Sequence, residues 1–355
     1  MTNLYNQKLI DKLNSEKCLT QKEWVDLIST FTAEDREYAA AIARQIALEK
    51  FGNKIFFRGI IEFTNICRNN CYYCGIRCGN AKVERYRLDK ETILDCCKQG
   101  YANGYRTFVL QGGEDPWFTT DKMVDIVYTI RSKYPDCAIT LSIGELSREE
   151  YRSLFEAGAN RYLLRHETAN AQHYSKLHPE NMTLKSRMRC LQDLKEIGFQ
   201  VGCGMMVGSP YQTAENLAED MMYIADFQPH MIGIGPFIPH HDTPFGNEKA
   251  GSVELTLFLL SLCRIMLPNV LLPATTALGT LSGDGRKTGV LAGANVIMPN
   301  LSPAVQREKY MLYDNKAING DDAGESLRIL QQHMSEIGYE LVVARGDYQK
   351  GSEEL

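Results

Sequence analysis

No apolar run in this chain is long enough to cross a bilayer. The most apolar stretch, Leu255 to Cys263, covers nine residues between Glu254 and Arg264. That is about half of the roughly 20 residues a spanning helix needs, so it reads as a core helix. A surplus of positive charge is also missing: 39 Lys and Arg stand against 44 Asp and Glu, a net charge of -5, which excludes the electrostatic footprint of a nucleic-acid binder. The opening MTNLYNQKLIDKLNSEK lacks a basic segment followed by an apolar core and a small-residue cleavage site. No secretory signal is expected, and the cytoplasm is the expected compartment. There is no Pro- or Ser-rich linker, no low-complexity tract, and no cysteine after Cys263. What remains is 355 residues at 44% hydrophobic content, enough to bury a sizeable core and too apolar to be disordered.

From residue 57 onward, short apolar or β-branched runs alternate with amphipathic segments, the pattern of βα units around a parallel sheet. Eight runs are expected as strands: Phe57 to Phe63, Thr107 to Gln111, Ala138 to Ile143, Arg161 to Arg165, Gln200 to Val207, Met231 to Pro236, Leu271 to Ala274 and Asn295 to Met298. Helix signals lie between them, with Asp89 capping KETILDCCKQG before a glycine stop and Thr213 opening AENLAEDMMYIADF. Eight such units match a complete (β/α)8 TIM barrel of about 250 residues, ahead of a doubly wound open sheet. Polar, Gly-rich clusters follow the strands directly, so the chemistry is expected at the barrel's top. The expected organisation is a helical N-terminal extension at 1–56, the barrel at 57–300, and a C-terminal extension at 301–355 with two helices and a last strand at Tyr339 to Ala344.

Eleven cysteines, an odd number, suit metal ligation or reduced thiols better than a disulfide framework. Three form Cys67-Arg-Asn-Asn-Cys71-Tyr-Tyr-Cys74 in a loop after the first strand. Thiolates at this spacing reach three corners of one inorganic cluster and leave a fourth open. Structural zinc normally takes four closed ligands, and no second C-x2-C or H-x3-H pair exists, although Cys78 offers a fourth thiol. The remaining cysteines sit singly or as a neighbour pair on amphipathic segments, as core residues do. An open iron is useful if something chelates it. S-adenosylmethionine does so through its amino and carboxylate groups, and an electron from the reduced cluster then cleaves it to a 5'-deoxyadenosyl radical.

This C-x3-C-x2-C loop, with aromatic Tyr73 before its last cysteine, resembles the radical SAM superfamily. Gln111-Gly112-Gly113-Glu114 at the second strand's end resembles the superfamily's GGE motif, in which glycine backbone approaches the methionyl ammonium and the carboxylate offsets its charge. After strand four, Glu167 of RHETAN offers two acceptor oxygens for ribose hydroxyls. Arg187, one turn into the next helix, offers a fork for the methionyl carboxylate. His166 reads as a structural or hydrogen-bonding residue. Gly202, Gly204 and Gly208 lack the context of a dinucleotide fingerprint and are expected to let an adenine lie against strand five. His240-His241-Asp242 reads as a loop, since adjacent histidines seldom converge on one ion. Strand alternation puts Thr140 and Ser142 on one face and Leu141 and Ile143 on the other. Arg165 in an apolar barrel needs an anion or a carboxylate to neutralise it.

Within the superfamily, the phrases IEFTNICRNNCYYCGIRC, VLQGGEDP, RYLLRHETAN, GIGPFIPHHDTP, LPATTALGT and GANVIMPN resemble the HydE family of FeFe-hydrogenase maturases, in the biotin synthase-like branch. The resemblance implies one 4Fe-4S cluster on Cys67, Cys71 and Cys74. It implies S-adenosylmethionine held by Tyr73, Gly112, Gly113, Glu114, Ser142, Glu167 and Arg187. Deeper, Gln111, Thr140, Arg165, Thr275, Thr276, Met298, Tyr310 and Tyr313 would line the cavity of a second reactant, a cysteine-bound iron species carrying CO and cyanide. Partner maturases, a low-potential electron donor and a monomeric state are further implications. Some members carry C-terminal cysteines for a second cluster, and their absence here leaves one cluster expected. The competing readings are a radical SAM reaction on a small amino-acid-like substrate, of the biotin synthase or methylornithine synthase type, and a non-catalytic iron-sulfur protein.

Overall fold

The computed structural model describes residues 4–317 and 323–349. Three helices open the chain, Leu4–Glu16, Gln21–Thr30 and Ala33–Phe51. Thr20 and Thr32 start the second and third with reciprocal capping boxes to Glu23 and Asp35, satisfying backbone donors that a helix start leaves unpaired. Leu9, Ile10, Leu13, Trp24 and Leu27 on these helices join the same apolar cluster as the sheet residues. Phe31 stacks on Phe258 at 4.6 Å between centroids. Phe258 belongs to helix Val253–Met266, which is buried along nearly its whole length and lies against Ala33–Phe51. A helix covered on both sides must be apolar all round, which is why Leu255 to Cys263 is so hydrophobic.

Among the described residues eleven strands follow: β1 (Lys54–Phe57), β2 (Gly59–Thr64), β3 (Thr107–Gly112), β4 (Ala138–Ser142), β5 (Arg161–Leu163), β6 (Gln200–Cys203), β7 (Met206–Val207), β8 (Met231–Ile232), β9 (Gly235–Pro236), β10 (Val296–Ile297) and β11 (Glu340–Val342). A six-stranded sheet runs β2-β3-β4-β5-β6-β8, every pairing parallel, with helices between successive strands. β10 and β11 flank β1, and β7 pairs with β9. Pairing also continues past β8. Ile232 N–H donates to Leu271 at 3.1 Å, Ala274 to Val296 at 2.9 Å, Phe56 to Asn295 at 3.0 Å, and Ile60 to Pro299 at 2.9 Å.

Several expected runs are shorter or broken. Leu271 to Ala274 is not a regular strand: it joins its neighbours through single bridges at Leu271 and Pro273. Pro273 has no N–H for a ladder, which limits what that segment can pair. The run from Gln200 to Val207 breaks after Cys203 at Gly204, with φ 149°, and Met231 to Pro236 breaks at Gly233 and Ile234. Phe57 to Phe63 divides at Arg58 into β1 and β2. The helix opened by Asp89, which accepts from Thr92 N–H, runs through the expected glycine stop to Ala102. The last helices are Ala304–Lys309 and Ala323–Ser335.

Candidate active site

The cysteine loop leaves β2 and is folded onto fixed anchors. Asn65 donates from Nδ2 to the carbonyls of Glu84 at 2.9 Å and Lys309 at 2.8 Å. Arg85 donates to four carbonyls, of Asn65, Ile76, Arg77 and Asn80, at 2.6 to 3.0 Å. These bonds clamp the loop's two ends around the thiols. Cys67, Cys71 and Cys74 are half-buried, whereas Cys78 is exposed. Burial pushes all three thiols up in pKa, Cys74 to about 12. A metal centre's charge is what would deprotonate them. Among the described residues, the one set of three potential ligand atoms within 4.8 Å of one another is His240, His241 and Asp314.

That histidine set does not suit an ion. The rings of His240 and His241 stack at 4.6 Å and 15°, so their nearly parallel lone-pair planes do not meet at one point. His240 Nδ1 already accepts from Asp242 N–H at 3.1 Å, and His241 Nδ1 pairs with Asp314 at 2.7 Å. The loop is pinned to a C-terminal residue, Asp314, that sequence spacing does not reveal.

The three cysteines open on a cavity of about 350 Å³, within the usual range for a small-ligand site. Its wall gathers Cys67, Cys71, Tyr73 and Cys74, then Gln111, Gly112, Gly113 and Glu114 from the end of β3 and Ser142 from β4. Arg165, Glu167 and Arg187 follow, with Thr275, Thr276, Met298, Tyr310 and Tyr313. Leu163, Met182, Met206, Gly233 and Phe237 also line it, apolar or backbone contributions without a sequence motif. Thr140 is not at the wall: it shares Ser142's face one pleat deeper, is 2% exposed, and its hydroxyl is unpartnered. Ile143 faces a different cleft, as strand alternation requires. Gly202, Gly204 and Gly208 are likewise absent from the wall. A Cβ on Gly202 would meet Leu163 at 2.7 Å, and one on Gly204 would meet the Gly233 carbonyl at 2.1 Å. These two allow close strand packing rather than a ligand's approach.

The polar groups are held individually. A Cβ on Gly113 would lie 2.3 Å from the Ile66 carbonyl and 2.7 Å from Cys67 Cβ, so glycine there lets β3 end against the cysteine loop. Next to it, Glu114 pairs with Arg68 at 3.0 Å and accepts from Glu145 N–H at 3.0 Å. Arg187 sits in helix Leu184–Ile197, donating to Glu145 at 2.7 Å and to the Arg165 carbonyl at 2.6 Å. Burial works against its charge, but Tyr174 and Glu145 outweigh burial and keep its pKa above the usual guanidinium value. Tyr73 meets His178 Nε2 at 3.1 Å, while His178 Nδ1 faces the Tyr174 carbonyl at 3.0 Å. The carbonyl fixes the proton on Nδ1, so the Tyr73 hydroxyl donates. Burial, then Arg187, depresses the His178 pKa to about 3.

Two acceptors are left open. Glu167 is 7% exposed and adopts φ 65°, a left-handed conformation that costs a non-glycine residue about 1–2 kcal/mol. Among the described residues its Oε2 has no partner, nor does Thr275 Oγ1. Buried acceptors without donors are costly in a finished structure and point to a ligand that supplies hydroxyls. Arg165 donates to the carbonyls of Gly233 at 2.8 Å and Met205 at 3.2 Å.

A family model described as the radical SAM superfamily matches residues 61–224, from β2 to helix Ala214–Phe227. The FeFe hydrogenase maturase subunit HydE of Thermotoga maritima is 43% identical over 310 residues, which are 87% of this chain and 88% of that protein. The chain belongs to the HydE family. As a radical SAM enzyme it binds a 4Fe-4S cluster and S-adenosylmethionine, and its role lies in hydrogenase maturation. More distant relatives share the scaffold. A 3-methylornithine synthase of Methanosarcina acetivorans is 28% identical over 81% of each chain. The crystal structure of methylornithine synthase aligns with a TM-score of 0.80 at 25% identity, covering 94% of this chain and 97% of that one. The maturase HydG aligns at 0.79 and 22% identity, over 96% of this chain and 76% of its own, a likeness of fold. No helix among the described residues is long and apolar enough to cross a membrane.

Proposed function

We propose that this HydE-family enzyme cleaves S-adenosylmethionine reductively to a 5'-deoxyadenosyl radical. The radical is then used on a cysteine-ligated Fe(CO)2(CN) precursor during assembly of the FeFe-hydrogenase H-cluster. Cys67, Cys71 and Cys74 would hold the cluster, which would supply one electron and an open iron for the methionyl amino and carboxylate groups to chelate. Tyr73, Gly112, Gly113, Glu114, Ser142, Glu167 and Arg187 surround the cosubstrate. Arg187 holds a permanent charge toward its carboxylate, and Glu167 Oε2 accepts from ribose. Gln111, Arg165, Thr275, Thr276, Met298, Tyr310 and Tyr313 line the reactant cavity, with Thr140 beneath it. Burial raises the Tyr310 and Tyr313 phenols, the latter to about 12, so both stay protonated donors for an anionic iron species.

The observation that carries this reading is the single cavity joining three half-buried thiols to an unpartnered Glu167 oxygen and the Arg165 guanidinium. The bonds linking β8 through Leu271 and Val296 to β1 and β2 support a closed eight-stranded barrel around it. N-terminal extension, barrel and C-terminal extension form one domain in this reading, working as a monomer. A cytoplasmic location fits the cysteine pattern, in which three are clustered for a metal centre and the others are spaced unlike a disulfide framework. Partner maturases and a low-potential electron donor complete the scheme.

The shared scaffold with methylornithine synthase favours one alternative, a radical reaction on a small amino-acid-like substrate. An anaerobic extract containing an FeFe hydrogenase but lacking its HydE decides between the two. Restored hydrogenase activity on adding this protein is expected. Cleavage of S-adenosylmethionine without restoration would overturn the maturase substrate and favour the alternative.

A further inference from the structure

His166 and Asp220 form a fully buried pair, each 0% exposed, behind the cavity wall. His166 Nε2 lies 3.4 Å from Asp220 Oδ1, an electrostatic contact without hydrogen-bond geometry, so Nε2 has no hydrogen-bond partner among the described residues. On the other side of the ring, Gly204 N–H donates to His166 Nδ1 at 3.2 Å, which places the ring proton on Nε2, facing the aspartate. The same Gly204 accepts from Glu167 N–H through its carbonyl at 3.0 Å. Gly204 is thus held at both its amide and its carbonyl by consecutive residues, His166 and Glu167, and its own position is tight because a Cβ would strike the Gly233 carbonyl.

Helix Ala214–Phe227 supplies the rest of the grip. Asp220 Oδ1 accepts from Ala169 N–H at 2.5 Å, Glu219 accepts from Asn170 Nδ2 at 3.0 and 3.1 Å, and Tyr223 meets the His166 ring edge to face at 4.9 Å. Glu219, Asp220 and Tyr223 of one helix therefore hold Asn170, Ala169 and His166 around Glu167. Between them sits Glu167, the residue in the left-handed conformation. A strained residue keeps its geometry when the surroundings over-determine it.

We propose that Asp220 and His166 are positioning residues. They lock the peptide of Gly204 and thereby hold Glu167, which lines the cavity and whose Oε2 is unpartnered among the described residues, preorganised for the hydroxyls of the nucleoside. This rests on the reading of Glu167 as the ribose contact and adds what holds it in place. Preorganisation shows as cosubstrate affinity, since a Glu167 freed to relax binds only after being ordered again.

The test uses the reconstituted, anaerobic enzyme. S-adenosylmethionine binding is measured by equilibrium dialysis and by the change it produces in the reduced cluster's electron paramagnetic resonance signal. Deoxyadenosine formation is resolved into KM and kcat. His166→Phe keeps the ring against Tyr223 and removes the hydrogen bond from Gly204 N–H and the electrostatic contact with Asp220; it should retain the iron content and the cluster signal while weakening binding roughly three- to tenfold, the worth of a neutral hydrogen bond, with kcat at saturation little changed. His166→Asn retains an acceptor near Nδ1 and should recover most of the lost affinity. Wild-type binding by His166→Phe would overturn the proposal. If that variant does not take up iron, Asp220→Ala carries the same comparison, and unchanged affinity there also overturns it. Glu167→Gln separates the two layers. If it too binds normally, the ribose reading fails; if it binds weakly while His166→Phe does not, only the positioning role fails.

Discussion

Arg165 donates from Nε to the carbonyl of Gly233 at 2.8 Å, and among the described residues no ion pair joins it to a carboxylate. The backbone carbonyls orient the guanidinium but do not neutralise it. A cation in a low-dielectric cavity is stable when an anion meets it there.

The reactant side of the cavity should depend on that charge. Arg165→Gln is expected to leave deoxyadenosine formation within about threefold, while restoration of hydrogenase activity falls about tenfold or more, as loss of a charged hydrogen bond would give. Equal losses in both assays would contradict a reactant role for Arg165.

Arg187 and Glu145 form a mostly buried pair, 8% and 15% exposed. Arg187→Met should destabilise the protein by about 2–4 kcal/mol, because Glu145 keeps a charge without its partner, and should weaken S-adenosylmethionine binding. The double variant Arg187→Met with Glu145→Gln should recover much of the stability but not the binding. Denaturant unfolding and equilibrium dialysis read the two separately.

His178 gives a pH signature. Its folded pKa is depressed to about 3 from an ordinary 6.5, so the unfolded chain binds a proton that the folded chain does not. Stability is then fully present above about pH 6.5 and is lost as pH falls from there toward 3. At pH 5 the loss is about 2 kcal/mol. Unfolding of cluster-free protein at pH 7 and pH 5 should show this difference, and His178→Gln, which retains an acceptor for Tyr73, should remove that part of the slope. An unchanged slope in the variant would contradict the assignment.

The elements readable in the sequence were those with strong local signals. Thr20 and Thr32 announce their helices through capping chemistry, and β3 and β4 show as short runs of β-branched and apolar residues. The segment around Pro273 was not readable as bridges alone, because a missing N–H limits pairing without altering hydrophobicity. The cysteine loop, the GGE turn and Glu167 stood out by residue type and spacing. Arg85, Glu145, His178 and Asp220 did not, since each matters through a partner brought close only by the fold. Glu114 and Arg68 meet across 46 positions of sequence, a separation no local pattern encodes. Strand alternation placed Thr140 on the correct face of β4 but not its depth.

The central claim is that Cys67, Cys71 and Cys74 leave one iron open to S-adenosylmethionine. Electron-nuclear double resonance on the reduced protein, mixed with cosubstrate carrying 15N at the methionyl amino group, tests it directly. A hyperfine coupling between the cluster and that nitrogen, absent in Cys71→Ala, is the predicted result. A wild-type cluster that shows no coupling to the bound cosubstrate would contradict it.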